Sequence, residues 1–261
     1  MSARSSEACH VPVARFSPAP LPREGWAAGL LLLVLLCAAW AWLFRMDALG
    51  QILICRVPAT EFWGAADMWV VMMSAMMLPS ALPMIFTYAQ VTARRERASA
   101  QAPLVALFVA MYLVVWSAFG VAAGAAEWLL QDDGFVRDGR LASPLYAGAL
   151  LFIAGLYQWS VIKSVCLSRC RSPLRFLLER YRDGYRGALA LGLAHGTFCV
   201  GCCWLLMLLA WVGGTMNLAW MVVLTLLVAV ERMLRMRGAI LHGSALALLG
   251  AGSALMLGAA L

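Results

Sequence analysis

The stretch from His195 to Met207, HGTFCVGCCWLLM, places three cysteines and one histidine within an otherwise apolar run. On a helix that turns about 100° per residue, His195, Cys199 and Cys202 share one stripe, and Cys203 lies beside Cys199. Side chains three or four residues apart on a helix are neighbours, with Cβ atoms about 5–6 Å apart. The spacing therefore predicts that these side chains can reach one metal ion.

A second source of sulfur is the stretch 68–84, MWVVMMSAMMLPSALPM, which holds six of the fifteen methionines. Pro79 and Pro83 lack a backbone N–H and are expected to kink or locally open this helix. Met76 lies near the middle of its apolar run, as Cys199 does in the cysteine run. We therefore expect Met76 and Met77 to meet the cysteines near the middle of a membrane.

A third motif is the polar segment KSVCLSRCRSPLRF, which contains Cys166 and Cys170 four residues apart. Arg169 and Arg171 lie next to them, and nearby positive charge raises the fraction of a thiol that is ionised. A thiolate pair at the cytoplasmic end of a span would suit capture or release of a metal ion.

The donor types decide which metal fits these motifs. Thiolate and thioether sulfur select Cu(I), zinc or iron–sulfur clusters, and a mixed Cys and Met set suits Cu(I) best. Zinc is the weaker fit, because structural zinc sites use four Cys or His donors. Two other interpretations stay open: a membrane thiol–disulfide oxidoreductase, and an assembly subunit whose cysteines only pack in the core.

Apolar runs dominate the 261-residue chain, which is 64% hydrophobic and 13% charged. A helix needs about 20 mostly apolar residues to span a bilayer. Runs near that length, two of them short, predict an all-α, polytopic transmembrane helix bundle of about seven spans: 26–44, 62–90, 104–126, 145–162, 187–211, 216–230 and 239–261.

Basic residues are unevenly distributed between the segments that connect these runs. Alternate segments carry 16 and 4 of the 20 Lys and Arg residues. The positive-inside rule then places the N-terminus in the cytoplasm and the C-terminus outside. The net charge of +7 is thus a topology signal, with membrane lipid rather than nucleic acid as the partner. Residues 1–25 are expected to form a flexible cytoplasmic tail, and residues 26–261 a single transmembrane domain in the inner membrane.

Together, the methionine stretch, the segment from Lys163 to Leu218 and the following AVER resemble a bacterial multi-pass membrane family described as predicted metal-binding proteins or copper chelators. The resemblance covers about residues 60–235. It implies a role in copper handling, including supply of copper to a receiving protein. The matching positions are Met76, Met77, Pro79, Cys166, Cys170, Cys199, Cys202 and Cys203. Where the family has Glu-Lys, this chain has Glu231 and Arg232, which keeps the charges.

The sequence as a whole therefore predicts an inner-membrane protein that holds Cu(I) in its helical core. Its metal ligands would be Cys199, Cys202 and Cys203, helped by Met76, Met77 and His195, with Cys166 and Cys170 as an exchanging pair. The expected role is chaperoning or transport of copper toward a cuproprotein, not catalysis on an organic substrate.

Overall fold

The computed structural model describes residues 62–215, 217–233 and 237–260, and five helical positions between 34 and 45. The predicted tail, 1–25, lies outside the described residues. Of the first predicted span, 26–44, only four positions are described, all helical: Val34, Ala38, Trp40 and Ala41.

Helices make up almost all of the described chain, as the sequence predicts. In order, the elements are α1 (Phe62–Arg95), α2 (Ala98–Asp132), β1 (Val136–Arg137), β2 (Arg140–Leu141), α3 (Pro144–Tyr157), α4 (Val161–Arg171), α5 (Pro173–Arg180), α6 (Gly184–Leu208), α7 (Ala210–Gly213), α8 (Leu218–Met233) and α9 (Arg237–Ala260).

Four described helical segments are long and apolar enough to cross a membrane: Phe62–Arg95, Ala98–Asp132, Gly184–Gly213 and Gly238–Ala260. The pair α3 and α4 gives a fifth if the two are one span, bent by 66°. Helix α8 has 16 residues, fewer than the roughly 20 that a straight span needs. The described chain is thus a helical bundle with four or five membrane-capable helices, and the seven-span topology stays a prediction.

Helices α1 and α2 form a hairpin whose contact depends on two glycines. A Cβ atom at Gly120 would lie 2.9 Å from the Val70 backbone, and one at Gly124 would lie 2.7 Å from that of Ala66. Side chains at these positions would push the helices apart. Small residues that let two backbones approach closely are typical of helix packing in membranes.

The break between α3 and α4 brings the cysteine pair to the core. Ser160 caps α4 by accepting a hydrogen bond from the Lys163 N–H at 3.1 Å, and the helix direction changes by 66°. Helix α4 then packs against α6, where a Cβ at Gly201 would lie only 2.8 Å from Cys166 Sγ. The sequence predicts a connecting segment between the runs 145–162 and 187–211, whereas the structure folds the first part of that segment back onto the cysteine helix.

The β-hairpin closes the end of the bundle where α2 stops. Asp138 and Gly139 both have positive φ, 51° and 69°, which is the two-residue turn that matches the twist of short hairpins. Nearby, the buried carboxylate of Glu127 accepts hydrogen bonds from the indole N–H groups of Trp69 and Trp211 at 2.6 and 2.9 Å. These bonds join α1, α2 and α7.

Candidate metal centre

Three cysteine sulfurs of α6 surround a single nitrogen atom of Arg232. The distances from Arg232 Nη2 are 2.8 Å to Cys199 Sγ, 3.2 Å to Cys202 Sγ and 3.4 Å to Cys203 Sγ. The second terminal nitrogen, Nη1, donates to Ser80 Oγ of α1 at 2.7 Å. The guanidinium therefore fills the centre of the predicted sulfur cluster.

Cys199 is the cysteine best supplied with hydrogen-bond donors. Besides the Arg232 guanidinium, the indole N–H of Trp116 donates to its sulfur at 3.3 Å. The hydroxyl of Tyr112 lies 3.0 Å from the same sulfur and 3.1 Å from the Met77 carbonyl oxygen. Donors of this kind stabilise a thiolate, so the surroundings of Cys199 suit a negatively charged sulfur.

The other two thiols turn toward their own helix. Cys202 and Cys203 donate to the Cys199 carbonyl oxygen at 3.1 and 3.0 Å. Cys203 also lies 3.9 Å from Met77 Sδ, across the interface between α6 and α1. All three cysteines are essentially sealed from solvent, with exposures of 0%, 1% and 1%. The structure thus brings Met77 to the cysteine cluster.

The pair on α4 extends this sulfur cluster toward the surface. The thiols of Cys170 and Cys202 interact across the α4–α6 contact. Cys166, one helical turn away, is half-buried and rests against Gly201. Five cysteines from two helices therefore form one continuous group, running from a partly exposed thiol to the buried cluster.

Two predicted ligands, Met76 and His195, have surroundings that differ from those of the cysteine sulfurs. Met76 is fully buried in the core, and the hydrogen bond between sulfurs involves Met77 instead. His195 packs between aromatic rings, 5.5 Å from the Tyr112 ring and 5.8 Å from the Phe176 ring, measured between centroids. Neither nitrogen of its ring has a hydrogen-bond partner among the described residues.

A buried ionic network holds Glu231, the residue before Arg232. The Glu231 carboxylate accepts from Lys163 Nζ at 2.7 Å and from Gln158 Nε2 at 2.7 Å. Its backbone carbonyl accepts from Arg171 Nε at 2.6 Å. Because Lys163 and Arg171 both belong to α4, the network ties the helix of the cysteine pair to the position of Arg232.

In the described part of the chain, no group of three or more His, Cys, Asp and Glu side chains is arranged to hold a metal ion as it stands. The local reason is that Arg232 Nη2 lies among the sulfurs while Cys202 and Cys203 point to a carbonyl. A metal–sulfur bond is about 2.3 Å for zinc, so ligation would require Arg232 to withdraw and the sulfurs to close in.

Sequence reasoning counted Arg232 and Lys163 as charges of connecting segments, and the structure buries both. Arg232 is 7% exposed and Lys163 0%. It also missed Tyr112 and Trp116, which lie one turn apart on α2. For Arg232 the sequence did contain a signal. Glu231 and Arg232 directly follow an apolar run, and ionisable groups at such places are candidate functional residues.

The chain matches a known protein family. The PpoB2 family, described as a copper chaperone, matches residues 66–255, a range that includes every cysteine, methionine and arginine of the cluster described above. No match was found among curated proteins or among solved structures.

Proposed function

Because the chain belongs to the copper chaperone family that matches residues 66–255, we propose that it binds Cu(I) within its helical core and delivers it to a receiving protein. The membrane-capable helices agree with a membrane-bound, copper-related protein. A copper chaperone is not an enzyme class, and the copper ion is cargo in this proposal.

The observation that carries the proposal is the group of three sulfurs around Arg232 Nη2, all within 3.4 Å. Burying a guanidinium charge is costly unless a negative group accompanies it. The carboxylate of Glu231 is paired with Lys163, so among the described residues the thiols are the groups left to supply that charge. A thiolate held in this way is the soft ligand that Cu(I) prefers.

Met77 supports Cu(I) over zinc as the cargo. A thioether is a natural ligand for Cu(I), whereas structural zinc sites draw four donors from Cys and His. In the proposed complex two or three thiolates hold the ion with Met77, and Arg232 moves aside but stays near enough to balance the excess negative charge. Binding releases the protons of the thiols that become ligands.

The pair on α4 supplies a route for the ion. Cys166 is half-buried, Cys170 contacts Cys202, and Cys202 belongs to the core cluster. Copper would pass from thiol to thiol along this group by ligand exchange. Replacing Cys166 and Cys170 with Ser should slow copper loading several-fold and leave the core affinity unchanged. Loading of this variant at the wild-type rate would exclude the pair from the route.

The core site is tested by replacing Cys199, Cys202 and Cys203 with Ser. Serine keeps nearly the same shape but offers a hard hydroxyl, so the variant should lose Cu(I) binding and remain helical. The matched control replaces Cys9, Cys37 and Cys55, which removes as many thiols from elsewhere in the sequence. Cu(I) stoichiometry and competition affinity in detergent give the result. A folded triple variant that binds copper as tightly as the wild type would reject the proposal.

The proposed location is the bacterial inner membrane, with seven spans, the N-terminus in the cytoplasm and the C-terminus outside. The support is the uneven distribution of Lys and Arg between alternate connecting segments. This asymmetry remains when the buried Lys163 and Arg232 are left out of the count. A reporter that is active only outside the cytoplasm should be active when fused to the C-terminus. Activity of a cytoplasm-specific reporter at the same place would contradict this topology.

A further inference from the structure

A cavity of about 430 Å³ lies between α4, α5 and α9, apart from the sulfur cluster. Its volume falls within the range of about 300–1,000 Å³ that is common for small-ligand sites. The polar lining consists of three arginines and three serines: Arg169, Arg171, Arg175, Ser164, Ser168 and Ser172. Such a lining is suited to an anion.

The beginning of α5 adds to the positive character of this cavity. Ser172 precedes Pro173 and caps the helix, and its side chain makes no capping hydrogen bond. The first backbone N–H groups of a helix lack partners within that helix, and the helix dipole places partial positive charge there. Anions, phosphate above all, bind at such ends. The helix end and the arginine cluster therefore favour the same kind of ligand.

One carboxylate limits the positive charge. Glu179 pairs with both Arg169 and Arg175, and the nitrogen–oxygen distance to Arg175 is 2.9 Å. The hydrogen bond from Arg175, together with the charge of Arg169, lowers the pKa of the Glu179 carboxyl. Arg169 and Arg175 together outweigh the single carboxylate of Glu179, so this pair of arginines leaves a net positive charge at the cavity.

Apolar side chains are exposed on α4 and α5, two of the helices that line the cavity. On α4, Val161 and Ile162 are 76% and 64% exposed, and on α5 Leu178 is 72% exposed. Side chains of this type next to a basic pocket fit lipid acyl chains next to a headgroup. Basic pockets between membrane helices bind anionic headgroups in this manner.

We infer that this cavity binds a phosphate group, and that the adjacent apolar side chains favour the headgroup of an anionic phospholipid. The arginines supply charged hydrogen bonds to the phosphate oxygens, a geometry in which guanidinium exceeds ammonium. The inference is independent of copper binding, because none of the six polar lining residues is a proposed copper ligand.

The test uses the full chain in detergent, titrated with phosphatidylglycerol, phosphatidylcholine or inorganic phosphate and analysed by native mass spectrometry. We expect one molecule of phosphatidylglycerol to bind tightly to each chain. The double variant Arg169→Gln, Arg175→Gln should weaken it about tenfold, because it removes two guanidinium groups that donate charged hydrogen bonds to the phosphate. The matched control is Arg182→Gln, Arg186→Gln, which removes two exposed charges from the same region and should stay within about twofold of the wild type.

The substitution Glu179→Gln is expected to change the affinity for phosphatidylglycerol in the opposite direction. Removing the carboxylate frees Arg169 and Arg175 for the ligand, so phosphatidylglycerol should bind about threefold more tightly. Asp183→Asn is its control and should have no such effect. Helicity and thermal unfolding of each variant confirm that the fold is kept, as expected for substitutions of exposed side chains.

The three ligands identify the source of the phosphate. Preference for phosphatidylglycerol that millimolar inorganic phosphate does not displace assigns the cavity to a lipid. Binding of inorganic phosphate with the same ranking of variants assigns it to a soluble phosphate. Equal weakening by both double variants, or no bound phosphate compound in the wild type, would overturn the inference.

Discussion

The guanidinium of Arg232 donates to the Cys199 sulfur at 2.8 Å, which joins a buried cation to the thiol richest in hydrogen-bond donors. Trp116 also donates to this sulfur, and an indole N–H can act only as a donor. The contact connects α8 with α6 in the middle of the protein. In the proposed copper complex this thiol is a ligand, and the cation must move before the metal can enter.

Arg232→Met tests whether this cation supports or merely blocks copper binding. A Cu(I) ion with two or more thiolates is negatively charged, and burying that charge without a cation is costly. We therefore expect Arg232→Met to weaken Cu(I) binding by about tenfold or more near neutral pH, as for loss of one charged hydrogen bond. Arg232→Lys keeps the charge and should retain most of the affinity.

Competition titrations with a Cu(I) chelator supply the measurement for both Arg232 variants. If Arg232→Met binds copper more tightly than the wild type, the guanidinium acts only as a competitor for the sulfur cluster. Equal losses in the Lys and Met variants would mean that the shape of the guanidinium, rather than its charge, is required.

The contact between Met77 and Cys203 separates two methionines that the sequence could not distinguish. Met77→Leu preserves volume and apolarity, and such a swap usually costs less than about 1.5 kcal/mol of stability. Because the Met77 sulfur lies 3.9 Å from Cys203 Sγ, this variant should lower Cu(I) affinity about tenfold, equivalent to about 1.4 kcal/mol. Met76→Leu is the matched control and should bind copper nearly as well as the wild type. An equal effect of both substitutions would indicate altered packing instead of lost ligation.

The buried pair of Lys163 and Glu231 should matter for stability. Lys163→Met leaves the Glu231 carboxylate without its cation, and breaking a buried ion pair typically costs about 3–5 kcal/mol. The double variant with Glu231→Leu removes both charges and should recover much of that loss. Thermal unfolding in detergent measures the two effects. If the single variant is as stable as the wild type, the pair contributes nothing to the fold.

The sequence predicted the helical class and the sulfur-rich helices correctly, because a membrane span and a helical stripe are local patterns. Helix α6 covers 184–208, close to the predicted run at 187–211. A glycine of that run, Gly192, permits close packing: a Cβ there would lie 2.5 Å from the Phe108 carbonyl oxygen of α2. Close approach of neighbouring helices was therefore readable from residue size alone.

The residues that surround the cysteine sulfurs could not be predicted from local sequence patterns. Arg232 is 29 to 33 positions away from the three cysteines, and only the packing of α8 against α6 brings them together. Likewise, the 66° bend between α3 and α4 interrupts an apolar run that reads as one short span. Neither the bend nor the contact between α8 and α6 follows from the periodicity of the sequence, because both depend on which residues of other helices pack against these segments.

The contact between Gly201 and Cys166 allows the proposed copper route to be tested without removing a sulfur. A Cβ at Gly201 would lie 2.8 Å from Cys166 Sγ, so Gly201→Ala must displace Cys166 or the helix that carries it. Alanine favours the helix by about 1 kcal/mol over glycine, so loss of helicity is not expected.

For Gly201→Ala we expect several-fold slower copper loading and an unchanged equilibrium affinity, because Cys199 and Cys203 keep their partners. Gly243→Ala is the matched control, since a Cβ at this helical glycine meets nothing within 4 Å. Stopped-flow transfer from a Cu(I) chelator gives the rate, and competition at equilibrium gives the affinity. If Gly201→Ala loads as fast as Gly243→Ala, copper reaches the core by a path that avoids the contact between α4 and α6.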